Sequence, residues 1–66
     1  MDAKEIAKKL RELRGTESRK TVADSLGLSV SALAMYESGK RIPKDEVKIK
    51  IAEYFARSVD EIFFRK

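Results

Sequence analysis

The chain has 66 residues, room for one small domain, with a formal net charge of +4 and a pI near 9.6 that suit a polyanionic partner. It contains neither His nor Cys, which removes the usual general base, the strongest nucleophile, disulfides and zinc-ligand spacing; no Gly-rich phosphate loop is present, so nothing supports an enzyme, a metal site or another cofactor. No apolar run approaches the roughly 18 residues that span a membrane, and Met1-Asp2-Ala3-Lys4 begins no signal peptide, so the expectation is a cytoplasmic protein.

Ile6, Leu10 and Leu13 recur at helical spacing among Lys4, Lys8, Lys9, Arg11 and Glu12. Asp2 with Glu5 reads as an N-cap and Gly15 as a stop, which predicts a first helix. Ser18 is the next N-cap; Val22, Ala23 and Leu26 follow on one face, and Gly27 closes the helix with a positive φ. A single residue separates Gly27 from the next N-cap, Ser29. The third helix carries Leu33 and Tyr36 inward and ends before Gly39. Two short helices joined by a tight turn containing Gly form a helix-turn-helix unit, here about residues 18–38.

Pro43 fits just before or at the start of a fourth helix, with Asp45 and Glu46 in its first turn, where acids complement the dipole. The stretch "VKIKIAEYFA" has two readings. Val47, Ile49 and Ile51 alternate as in a strand, while Val47, Ile51 and Phe55 recur as in a helix, with Ala52 beside them. No earlier segment offers a strand to pair with, so a helix is predicted, and Lys48 and Lys50 then lie on its wet face. Ser58 and Glu61 form a capping box that opens a last short helix carrying Ile62 and Phe63. The prediction is an all-α, single compact five-helix domain over residues 1–66.

With these elements in place the chain resembles the phage-repressor and Cro-like (XRE-type) helix-turn-helix DNA-binding family over nearly its whole length. "KKLRELR" is similar to the family's first helix, "SRKTVADSLGLSVSALAMYESGKRIP" to its helix-turn-helix and following loop, and "KIAEYFARSVDEIF" to its last two helices. The most specific part is the spacing of Ala23, Gly27 and Leu33 with Val22, Leu26 and Tyr36 apolar, followed by "ESGKR" and a Pro. The resemblance implies a sequence-specific regulator of transcription, a repressor that binds duplex DNA as a homodimer without a small-molecule ligand.

It also implies site residues. The recognition helix would be about Val30 to Glu37, with Ser29, Val30, Ser31, Ala32 and Met35 toward the major groove. Lys40 and Arg41 would lie along the backbone; Lys44 adjoins them. Arg19 and Lys20 stand in the first turn of the second helix, where free N–H groups attract phosphate. Arg14 and Glu37 resemble an ion pair that ties the first helix to the third. Phe63 and Phe64 are adjacent and cannot share one core face, so one is core and the other, with Ile62, a candidate dimer contact.

The departures are specific. The "GTE" connection is shorter than usual for the family, Arg19 replaces a common Gln, and Ala56-Arg57 stand where Gly-Val usually ends the fourth helix. From Thr21 through Gly39 there is no Lys, Arg, Asn or Gln. Ser can bond several base edges, and Val, Ala or Met can pack on a thymine methyl, but none makes the bidentate contacts that discriminate strongly. The alternative is therefore a protein-interaction module on the same fold, an antirepressor or adaptor, using the apolar third-helix face.

Overall fold

The computed structural model describes residues 2–65 and is all-helical over that range. Four α-helices follow one another: α1 (Ala3–Arg14), α2 (Arg19–Leu26), α3 (Val30–Ser38) and α4 (Asp45–Phe55). A π-helical turn, Asp60–Phe64, completes them. The expected last helix is present but wider than an α-helix, closed by the bond from the Arg65 N–H to the Asp60 carbonyl at 2.8 Å.

The starts of the helices follow from side-chain chemistry. The Asp2 carboxylate accepts from the Lys4 N–H at 2.9 Å, Ser18 Oγ from Thr21 at 3.1 Å, and Ser29 Oγ from Ala32 at 3.0 Å. Gly27 and Gly39 end α2 and α3 in the left-handed region, with φ of 69° and 80°. At the π turn, the Glu61 carboxylate accepts from the Ser58 N–H and Ser58 Oγ from the Glu61 N–H, both at 3.0 Å. The Ser58 N–H first, and then the Ser58 side chain, hold the Glu61 carboxyl below its ordinary pKa.

One core joins all the elements: Ile6 and Leu10 from α1, Val22, Ala23 and Leu26 from α2, Leu33 and Tyr36 from α3, Ile51 and Ala52 from α4, then Ile62 and Phe63. Ala23 is wholly buried, and nothing larger than its methyl group fits such close packing without moving a helix. In α4 the helical reading prevails because Ile51 and Ala52 are both buried while Ile49 stands exposed. A strand would have put Ile49 and Ile51 on one face.

Two expectations change, and one departure from the family pattern keeps its geometry. Ile62 and Phe63 are each 2% exposed and belong to this chain's own core, so Phe64, at 57%, is the only one of the three dimer candidates that is exposed. Lys48 is not on a wet face: it is 7% exposed, with its ammonium 5.9 Å from the Phe63 ring centre and 5.4 Å from that of Phe64. Its stem lies along apolar surface while Nζ reaches Asp45 Oδ1 at 3.4 Å. Finally, α4 ends on Ala56 at φ 55°, ψ 44°, so the left-handed stop survives without its Gly.

Candidate nucleic-acid interface

α3 turns Leu33, Tyr36 and Glu37 inward. That leaves Ser29, Val30 and Ser31 exposed and Met35 half-buried at the surface. Ala32, expected among the groove-facing residues, is half-buried and packed against the core, so less of it is open to a ligand. The exposed face is small and uncharged, as its sequence dictates. Basic residues flank it on both sides along the chain. Arg19 and Lys20 begin α2, and Lys40 and Arg41 occupy the exposed loop after α3. The Met35 carbonyl accepts from the Lys40 and Arg41 N–H groups at 3.0 and 3.4 Å, which fixes the backbone of that loop against the end of α3. Gly39 makes the bend; a Cβ there would meet the Ala3 carbonyl oxygen at an ordinary contact distance of 3.5 Å, so it is the left-handed backbone that calls for glycine.

Glu37 organises the inner side. Its side chain is 1% exposed; Oε2 accepts from Arg14 Nε at 2.7 Å and Oε1 from Arg19 Nε at 2.9 Å. Burial pushes the Glu37 carboxyl up, but the hydrogen bonds and charges of Arg14 and then Arg19 outweigh that and hold its pKa below the ordinary value. Arg11 adds a bond to the Glu37 carbonyl. Arg14 also donates through Nη1 to the Glu17 carbonyl at 2.7 Å, while the Tyr54 hydroxyl donates to the Glu17 carboxylate at 2.7 Å. That last bond raises the Tyr54 pKa, and it anchors the short "GTE" connection to α4.

Sequence reasoning placed Arg14 beside Glu37 but missed two partners. Arg11 is one turn before Arg14 on the same helix, a periodicity that could have found it. Arg19 was read as a free phosphate contact, whereas its Nε is engaged by Glu37; the only signal was the exchange of a neutral Gln for a cation at that position. Lys20 pairs at 3.0 Å with Asp24, one turn later, and both are well exposed, so the pair leaves the lysine available to a stronger anion. Ile42, exposed beside Lys40 and Arg41, was not singled out either.

Among the described residues no group of acidic side chains could hold a metal ion, and no helix is long and apolar enough to cross a membrane. A small helix-turn-helix domain with a solvent-facing third helix between two basic flanks is the arrangement that the residues define. The Helix-turn-helix family HTH_3 matches residues 8–62, and the chain belongs to this XRE-type, phage-repressor and Cro-like family of DNA-binding transcription regulators. Neither a curated protein nor a solved structure matches it.

Proposed function

We propose that the protein is a sequence-specific repressor that binds duplex DNA as a homodimer, with α3 in the major groove. The carrying observation is the distribution of charge along the chain: an uncharged face with Ser29, Val30 and Ser31 exposed and Met35 half-buried, preceded by the exposed Arg19 and Lys20 and followed by the exposed Lys40 and Arg41. In this reading the basic residues grip phosphates and supply affinity without sequence preference. The α3 side chains give modest base discrimination biased toward thymine methyl groups, and DNA shape supplies the remainder.

Selection of bound sequences from a random duplex pool, at near-physiological salt, tests this. A T-rich consensus with two half-sites about one helical turn apart is the expected result. Recovery of no consensus would overturn sequence specificity.

Phe64 is the proposed dimer contact. It stands exposed beside Ile49 and Val59, which with Asp45 and Lys48 line a surface groove of about 320 Å³. Phe64→Lys should shift sedimentation toward monomer and weaken operator binding; an unchanged dimer would place the interface elsewhere. The second reading, an adaptor or antirepressor, is favoured by the exposed Val30 and the absence of purine-clasping side chains on α3. A salt titration separates the two. DNA binding weakens steeply as salt rises, and an apolar protein contact does not.

A further inference from the structure

Glu37 stands at the inner end of α3, and its two oxygens are divided between two other helices. Oε2 accepts from Arg14 of α1 and Oε1 from Arg19 of α2, at 2.7 and 2.9 Å. The two arginines differ in what remains of them. Arg14 is 19% exposed and has a second protein acceptor in the Glu17 carbonyl. Arg19 is 45% exposed although its Nε is fixed on a buried carboxylate. A guanidinium carries five N–H donors. Among the described residues, only the Nε donor of Arg19 meets a protein acceptor.

We propose that Glu37 is a positioning residue, which holds Arg19 as a preformed fork for a DNA phosphate and ties that fork to the recognition helix. The inference rests on the DNA-binding reading above and deepens it. A long cationic side chain ordinarily loses its rotamer freedom when it meets a ligand; Arg19 has lost much of it in the free protein. Its terminal nitrogens keep the planar geometry that suits two phosphate oxygens. One carboxylate between two guanidinium groups leaves a net positive charge, so the anchor does not cancel the field that attracts DNA. Because Glu37 belongs to α3, the same oxygens that orient the fork fix its place relative to Ser31 and Met35. Phosphate grip and base contact then share one register.

Lysine at position 19 keeps the charge but cannot bond Glu37 and a phosphate from one plane. The test is a salt series of anisotropy titrations with a fluorescently labelled duplex of random sequence. Wild type, Arg19→Lys and Arg19→Gln are compared, and the lysine change is repeated in a Glu37→Gln background. Arg19→Lys should lower affinity about tenfold at an unchanged salt slope. Arg19→Gln should also make the slope shallower by about 0.9. With Gln at position 37 the lysine change should cost less than about threefold, since no fork is held there to lose.

Equal affinity of Arg19→Lys and wild type, or the same loss in both backgrounds, would overturn the role of Glu37 while salt-dependent binding by wild type stood. Absence of salt-dependent binding by wild type would overturn the DNA-binding reading itself, and this inference with it. Where Glu37→Gln fails to fold, free wild-type protein decides the matter by NMR. A slowly exchanging Arg19 Nε–H signal supports the anchored fork, and a signal averaged with solvent overturns it.

Discussion

Up to Gly39 every helix opens on an Asp or Ser whose side chain caps it and closes on a glycine of positive φ. From Pro43 onward these devices thin out. α4 has Lys44 at its N-cap, with no side-chain bond to the helix, and stops on a left-handed alanine, before the capping box of the π turn. The means of fastening differ as well. The inner end of α3 is held by directional charged contacts from Arg14, Arg19 and Arg11, whereas α4 and the π turn give Ile51, Ala52, Ile62 and Phe63 to the common apolar core, with Lys48 folded over the phenylalanines. Hydrogen bonds to a buried carboxylate fix angles; apolar contact fixes only proximity. The half that must present a helix at a defined angle uses the first, and the half that closes the core accepts the second.

Removing the carboxylate should break the comparison most severely. Glu37→Ala leaves Arg14 partly buried and unpaired, and a loss of about 3 kcal/mol is expected, seen as a fall in Tm of roughly 15 °C for a domain of this size. A loss under about 1 kcal/mol would mean that apolar contact alone places α3. Acid provides a milder route to the same group. The folded Glu37 pKa lies below its ordinary 4.5, so its contribution is complete above that value and is lost as pH falls through the folded pKa. Thermal unfolding followed from neutral pH into the acid range should show wild type losing stability below 4.5. Glu37→Gln, less stable at neutral pH, should lose less over the acid interval. Equal slopes would remove the linkage.

The other half should respond in the opposite sense. Ala56 occupies a backbone region that costs an L-residue about 1 kcal/mol or more, against which the extra entropy of an unfolded glycine must be set. Ala56→Gly should therefore stabilise by about 0.5 kcal/mol in urea unfolding, at an unchanged m-value. The smallest effect is expected at Lys48. Its ammonium contact with the rings and its burial oppose one another, and Lys48→Met keeps the stem's volume, so stability should stay within about 0.5 kcal/mol. A large loss there would show that charge matters in both halves.

This asymmetry also decided what could be read beforehand. Caps and stops are local, so Ser18, Ser29, Gly27 and Gly39 marked the helix-turn-helix unit from sequence alone, and the apolar spacing chose the core face of each helix. The paired phenylalanines posed a question that sequence could frame but not answer, because which of them turns inward depends on the π-turn geometry. Lys48 was misread for a related reason: a lysine looks solvated until a neighbouring element supplies rings for its stem, and those rings come from residues 63 and 64. The second arginine on Glu37 is a contact between residues eighteen apart, which no local pattern encodes.

Lys9 joins the two ends of the described chain. Its ammonium donates to the carbonyls of Glu61 and Arg65, contacts that span 52 and 56 positions of the chain. Closing so long a loop carries a larger entropic cost than the short-range contacts within residues 18–39, so from the open chain this latch is the costlier contact to make. The same helix that carries the latch carries Arg11 and Arg14, the groups that grip the inner end of α3. The last turn and the recognition helix are thus fastened to one common helix, α1, at separate points along it.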